Sequence, residues 1–594
     1  MIFDPSNRSW PALAWLLALA LAAPLSAQTP DPIMPLSAIR PGMKGIGRTV
    51  WSGTKIETFE VTVISVMKNF EPKRDIILTR LSGPAIERYG VVAGMSGSPV
   101  YIDGKVIGAV SLGWPFQKEA IAGVTPIEDM QATMNLPEVE HPGAPAGWRA
   151  PEAESAPGGA DGRSANPMGL LPIRTPLVLS GVPAETVKRL ESRFAAHNLV
   201  PIQGGAGAAM LTPPGKDELQ PGGAVGVSLV SGDLSMDAVG TLTWRDGDRF
   251  VAFGHPFMGL GDCALPIAPA FVHSVMPSLY VSFKLAAAGA PVGSMCQDRP
   301  PAILGHIGRP AQQFPVAIDI KPNERDPVKP YHFKVSQVGP MTPLLLLTLA
   351  DSVITANGRT GGDQSFVTKL ELKLAGRAPL TYTNMFSTRE DHMGAVMEMF
   401  TPVLQILTNK FEPVVIESVN LSIEAQERSR EARIESVRLD HVELERGETA
   451  EAAVVLRTYG GQREAVRMKF AVPLDAQPGN AQLVVCDAQQ GKSRAAARNP
   501  GHYQPTSLEG VINMGREERH NNEVVLQLML PRDGVSYTGK ELPRLPASAL
   551  SVISASGLSG YKSLQSEVEV RQPTQHAVQG VETLEVRIRE QKQP

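Results

Sequence analysis

The chain has 594 residues and only three cysteines, Cys263, Cys296 and Cys486, with neither a Cys-x-x-Cys nor a His-Glu-x-x-His string, so no zinc site and no other cofactor is called for. Cys263 and Cys296 lie in one segment, and spacing alone leaves open a disulfide between them or two buried thiols. Charge is nearly balanced at a net of -4, without a basic stripe, which excludes nucleic acid as a natural partner. Aromatics make up only 5% of the residues, while Gly (55) and Pro (51) are abundant; this favours short strands and turns over long helices. After the N-terminal region no apolar run is long enough to span a bilayer, since the Leu-rich stretch at 344–349 meets Asp351. Thr342-Pro343 ahead of it reads as the start of a buried helix. The length exceeds what one core can hold and implies several domains.

The first 27 residues read as a secretory signal: Arg8 is the positive end, 10–23 the apolar stretch, and Leu25-Ser26-Ala27 a small-residue cleavage site. Cleavage predicts an exported chain, periplasmic or secreted, with no stable membrane span; without cleavage the same segment is a membrane anchor. Residues 36–130, within a first unit of 28–136, alternate apolar and polar positions, as in 59–64, and read as strands. Residues 137–167, rich in Pro, Ala, Gly and Glu, read as a linker. A helix is predicted over 183–197, and strands resume over 224–308, where 240–244 and 249–253 flank Asp246-Gly247 as a hairpin. Residues 311–420 read as a β-rich unit with two helices. The second of these, near 393–407, carries a Met397, Phe400, Leu404 stripe expected in the core. An immunoglobulin-like β-sandwich is expected over 421–490 and a further β-rich region over 491–594; the oligomeric state is left open.

Chemistry concentrates in Gly94-Met95-Ser96-Gly97-Ser98-Pro99, followed by a strand, an Asp103-Gly104 turn and a second strand. A serine attacks only when exposed to substrate, deprotonated by a base and set beside oxyanion donors. Glycines on both sides permit the tight turn in which the Gly94 and Ser96 amides point into one space. A plain Gly/Ser turn is the simpler alternative. An α/β-hydrolase elbow is rejected, because residue 98 is not glycine and a hairpin follows rather than a helix. Ser111-Leu112-Gly113-Trp114 comes next, where chymotrypsin-like enzymes place the edge strand that pairs with extended substrates.

The Gly94–Pro99 string, the Asp103-Gly104-Lys105 turn and Ile107-Gly108-Ala109-Val110 resemble the peptidase domain of the SpoIVB (stage IV sporulation protein B) serine peptidases. That resemblance puts the nucleophile on Ser96. The family's Gly-Thr-Leu-Thr, turn, Ala-Leu-Gly-His pattern resembles Gly240–Thr243 and Ala252-Phe253-Gly254-His255, which puts the base on His255. Here the serine segment precedes the histidine segment, as a circular permutation of the two halves gives. The family's acidic residue falls on Ser82, which is not acidic, so Asp262 and Asp75 are the substitutes; no PDZ-like segment precedes the serine half. His306, which also follows a glycine, and His273, which reads as a packed structural residue, are the alternatives to His255. The expected fold is therefore mainly β: a chymotrypsin-like double β-barrel with permuted halves (28–136 and 168–310), then sandwich-like domains with a few helices. The expected activity is that of an exported endopeptidase acting on protein or peptide substrates, itself included. The competing reading is a non-catalytic scaffold at the cell envelope on a degenerate peptidase fold.

Overall fold

The computed structural model describes residues 30–114, 116–137, 169–205, 219–339, 341–358, 361–389, 391–499, 503–530 and 566–590, with parts of 535–563. The expected signal segment and nearly all of the expected linker lie outside these. The chain is mainly β, with closed six-stranded barrels and a few helices.

The first barrel comprises β1 (Lys44–Val50), β2 (Ile56–Glu71), β3 (Arg74–Ser82), β4 (Pro99–Ile102), β5 (Lys105–Gly113) and β6 (Ile121–Pro126). The strands pair in the order β4-β1-β2-β3-β6-β5, and β4 pairs with β5 to close the ring. In β2 the period of two is plain: Phe59, Val61 and Val63 are buried while Glu60 is exposed. The β4–β5 hairpin turns at Asp103 and Gly104, both at positive φ, as a two-residue loop between right-twisted strands requires. Helix α1 (Pro84–Tyr89) leads from β3 into the serine turn, and α2 (Ile127–Ala132) follows β6.

A short strand, β7 (Leu171–Pro172), pairs with β5. A parallel unit follows: β8 (Thr175–Ser180), α3 (Ala184–Ala195) and β9 (Leu199–Gly204). The helix predicted at 183–197 is α3, and it buries Leu190 and Phe194. The second barrel comprises β10 (Ala224–Gly232), β11 (Ser235–Asp246), β12 (Arg249–Ala252), β13 (Gly261–Met276), β15 (Gly293–Arg299) and β16 (Ala302–Ile307), with β14 (Phe283–Ala288) laid on β13. It runs β10-β13-β15-β16-β12-β11 and closes through β10 and β11. The expected hairpin is β11–β12, with Gly247 at positive φ in its turn. Cys263 and Cys296 lie on β13 and β15 as buried free thiols, which decides between the two alternatives.

Two apolar clusters seal the barrels together. One joins Tyr101, Val106, Ala109 and Met130 of the first barrel's side to Trp244, Val251 and Leu304 of the second. The other joins Val50 to Val239, Ala270 and Val272. Burial of this kind contributes about 25 cal/mol per Å² of apolar surface, so the interface is held without a covalent link.

Beyond the barrels, the second barrel's sheet continues through β17 (Gln313–Lys321), β18 (Lys329–Ser336), β19 (Gln364–Leu374), β20 (Leu380–Thr388) and β21 (Ile416–Gln426). The Leu-rich segment is α4 (Met341–Asn357), apolar on nearly every face and buried accordingly. The segment near 393–407 is two helices, α5 (Met393–Met399) and α6 (Thr401–Leu407); Phe400 between them is buried, but Met397 and Leu404 are exposed, so the expected core stripe reduces to Phe400. The sandwich expected over 421–490 draws on a longer stretch. Its sheets share one core and take strands from Glu431–Leu439 through Val581–Arg589, whereas 416–426 belongs to the preceding sheet. Alternation within a strand is a local signal, but strand partners far apart in the chain leave none.

One buried polar cluster ties α3, beside the second barrel, to α4 and the start of α5. Asp351 of α4 accepts two hydrogen bonds from Arg189 of α3 (2.8 and 2.9 Å) and faces His392 Nε2 at 2.9 Å. Asp351 is fully buried, so removing its cationic partner strands a carboxylate away from water. Arg189→Ala is expected to cost about 3 kcal/mol, read as a lowered midpoint of the first urea transition, with Arg189→Lys recovering part of it.

Candidate active site

Ser96 stands in the turn between α1 and β4, and His255 in the turn after β12. Each turn belongs to a different barrel, and Thr241 of β11 binds both. Its N–H donates to the Ser96 carbonyl (2.9 Å), and its own carbonyl accepts from the Phe253 N–H (3.2 Å). Its hydroxyl donates to the Gly94 carbonyl (3.0 Å), and that of Thr243 donates to the Gly97 carbonyl (2.7 Å). On the histidine side, Thr125 of β6 donates to the Gly254 carbonyl (2.6 Å). The two turns are thus cross-braced by three threonine hydroxyls, all buried.

Glycine is obligatory at the contact. A Cβ on Gly97 would lie 1.9 Å from the Thr241 carbonyl oxygen and 2.5 Å from the Phe253 nitrogen, and Gly97 has φ of +93°. Phe253, a bulky residue, is itself held at φ +70° next to Gly254 at +72°. Such backbone persists only where the surroundings over-determine it, and here it aims the next residue, His255. Within the serine turn, Met95, Gly97 and Ser98 donate their amides to the carbonyls of Val92, Val110 and Met95. The Gly94 and Ser96 amides make no hydrogen bond among the described residues, which leaves two adjacent donors for a developing oxyanion.

Two buried side-chain atoms here lack any hydrogen-bond partner: Ser96 Oγ and His255 Nε2. They are not bonded to each other, and catalytic pairs are often loose without substrate. His255 Nδ1 lies 2.7 Å from the Pro256 carbonyl. A carbonyl only accepts, so Nδ1 carries the proton and Nε2 keeps its lone pair, the tautomer of a general base. Burial lowers the imidazole to about 4, against opposing contributions from the backbone of Pro256 and Ile173, so the ring is neutral at physiological pH.

The expected acidic partner is corrected. Asp262 accepts from Gln297 (2.6 Å) and pairs with Arg299 (3.3 Å), and does not meet the histidine. Asp75 is bound to Lys68 (2.7 Å) and to the Asn69 amide (2.8 Å) in the β2–β3 turn. Both are the turn or surface aspartates that turn-rich sequence breeds. The place of the acid is taken by a carbonyl, that of Pro256. His306 sits on β16 with Nδ1 on the Ile307 carbonyl, and His273 meets Phe271 edge-to-face on β13.

Two residues of the site escape sequence reasoning. Asp298 of β15 is buried and accepts from the amides of Phe257, Met258 and Leu260 (2.7, 2.8 and 3.0 Å), clamping the loop after His255. Lys284 of β14 is buried without a carboxylate partner among the described residues; Nζ donates to Thr49 (2.8 Å) and reaches Thr241 (3.4 Å), and burial lowers its ammonium to about 7. Its stem packs where a Gly94 side chain would stand, so it backs the serine turn. The signal for both is a lone charge in an apolar strand, as in Phe283-Lys284-Leu285-Ala286.

A buried serine and a buried neutral imidazole on turns of two six-stranded barrels, braced together at the barrel junction by Thr241, make an arrangement that a chymotrypsin-like serine peptidase can use. Residues 24–123 match the family model described as SpoIVB peptidase S55, so this part of the chain is similar to the SpoIVB serine peptidases. The match covers the serine-bearing barrel and stops short of His255. No curated protein and no solved structure matches the chain.

Gly97→Ala is expected to cost roughly 3 kcal/mol, because the new methyl group lies inside the Thr241 carbonyl. Gly104→Ala, also at positive φ but with nothing nearby, is expected to cost about 1 kcal/mol; urea midpoints of the two variants measure the difference. His255 sets a second expectation. Its folded value of about 4 lies below the unfolded value near 6.5, so between them the unfolded chain binds the proton and the folded chain does not. Stability falls as pH drops from 6.5 to about 4, by about 3 kcal/mol, and levels off below. The difference between wild type and His255→Gln in urea midpoints across pH 4–7 is expected to carry this slope.

Proposed function

We propose that the chain is an exported serine endopeptidase working through an acyl-enzyme, with Ser96 as nucleophile and His255 as base. The observation that carries this is the pair of buried, partnerless atoms, Ser96 Oγ and His255 Nε2, at the junction of the barrels. An unsatisfied buried polar group costs about 1–3 kcal/mol, and here the two are a hydroxyl and a neutral imidazole nitrogen on turns that Thr241 braces together. In the first step Ser96 Oγ bonds to the substrate carbonyl carbon and its proton passes to His255 Nε2. The carbonyl oxygen becomes the oxyanion, facing the amides of Gly94 and Ser96. Collapse breaks the C–N bond, and the imidazolium gives its proton to the leaving amine. Water then attacks the ester with His255 again as base, freeing the acid and restoring the serine.

Protein substrates follow from the peptidase family. Export rests on the signal-like residues 1–27, and no helix among the described residues is long and apolar enough to cross a membrane. The scaffold reading retains one specific support: the imidazole is held by a carbonyl rather than a carboxylate. Replacing the aspartate of a Ser-His-Asp triad by its amide costs about 10⁴ in turnover, so turnover here is expected to be slow. A fluorophosphonate probe is expected to label wild type on Ser96 alone, identified by peptide mass, and to leave Ser96→Ala unlabelled. His255→Ala is expected to slow labelling by about 10³ or more. Equal labelling of wild type and Ser96→Ala would establish the scaffold reading.

A further inference from the structure

The substrate edge of the serine barrel is already occupied. Along β5, residues 105–109 pair with β4, but β4 has left the sheet by residue 111. On one side, Leu112 and Gly113 pair with Gly123 and Ala122 of β6. On the other they pair, antiparallel, with Pro172 and Leu171 of β7. The Ile173 N–H then donates to the Ser111 carbonyl at 2.9 Å. Three consecutive residues of the chain's own backbone therefore add a strand to the edge where an extended substrate would add one.

The side chains agree with the backbone. Ile173 is 7% exposed and belongs to the core cluster that contains Val92 and Met95, the residues leading into Ser96. A Cβ on Gly113 would lie 3.5 Å from Val91 and 3.7 Å from Ile173, so the Ile173 side chain fills the space between the serine loop and the bare face of Gly113. Leu171 instead points outward and is 40% exposed. The Ile173 backbone itself lies against the His255 ring. With this strand in place Ser96 is wholly buried and His255 only 2% exposed, so an incoming peptide meets neither.

We infer that Leu171-Pro172-Ile173 is an internal pseudosubstrate, which keeps the peptidase latent and displays its preference for an aliphatic, β-branched residue beside the scissile bond. The inference rests on the serine-peptidase reading above for its consequence, but the occupancy of the edge stands apart from it. The strand is held for non-productive binding: the Ile173 backbone favours the charged imidazole, as a carbonyl facing the ring does, while the Gly94 and Ser96 amides remain without an acceptor among the described residues. Activation is then displacement of a three-residue strand, a change small enough for a substrate or partner protein to bring about.

Two measurements on the full-length chain separate strand from chemistry. The first uses a Ser96→Ala background and a fluorescein-labelled peptide, Gly-Leu-Leu-Pro-Ile amide, followed by anisotropy. Leu171→Pro, which removes a pairing N–H at a half-exposed site, is expected to tighten binding by about tenfold or more, the gain on freeing an edge occupied about nine-tenths of the time. The second, in the Ser96 background, is the rate of fluorophosphonate labelling, expected to rise by a similar factor. Tighter peptide binding without faster labelling supports the pseudosubstrate strand and removes the serine chemistry. Unchanged peptide affinity in a Leu171→Pro chain whose thermal midpoint matches the parent overturns the inference. Should Leu171→Pro fail to fold, amide exchange in the Ser96→Ala chain decides. Saturating peptide is expected to expose the Ile173 N–H, and protection unchanged under saturation overturns the proposal.

Discussion

The site depends on the contact between the Gly97 backbone and Thr241. It is the point where the two barrels touch most closely, and a single methyl group there is sterically excluded. Thr241 spends its N–H on Ser96, its carbonyl on Phe253 and its hydroxyl on Gly94. Because all three groups belong to one residue of one strand, the serine turn and the histidine turn cannot move independently. The apolar seals on either side, around Trp244 and around Val239, supply the cohesion, and Thr241 supplies the registry. A nucleophile and base split between barrels need both, since cohesion without registry would leave the pair misplaced by the ångström that matters.

The environment of that contact sets its electrostatics. Water is excluded, so the histidine is held neutral and Lys284, one hydroxyl away from the serine turn, loses much of its hold on its proton. Asp298 braces the histidine loop, and it is spent on backbone amides rather than on the imidazole. The loop is therefore rigid where a triad would be charged. A carbonyl at Nδ1 fixes the tautomer but brings no negative charge to stabilise the imidazolium. This is consistent with the proposal that β7 holds the peptidase latent.

Much of the architecture was legible along the chain. The alternation of Phe59, Val61 and Val63, the Asp103-Gly104 turn and the β11–β12 hairpin are local signals, set by the two-residue period of a strand and by the few residues that tolerate positive φ. Where reading failed, the deciding partner was remote. Met397 and Leu404 lie on the exposed side of α5 and α6, where the Met397 sulfur meets Arg193 rather than the core, and the sandwich extends to Arg589 because its second sheet is completed by the last strand described. Asp262 fell away for a similar reason: Gln297 and Arg299, one strand over, claim its carboxylate.

By itself the sequence determined the chemistry on offer. Gly94–Pro99 can form only a tight turn presenting a serine and its amides, and Ala252–His255 only a hairpin end presenting an imidazole, because glycine spacing and strand period act over a few residues. Only the tertiary structure decided that these two turns meet, that Pro256 rather than an aspartate orients the ring, and that Leu171–Ile173 lies along β5. Each of those outcomes is a competition among hydrogen-bond partners far apart in the chain. Such competitions are settled by which groups burial brings together, and no local pattern records it.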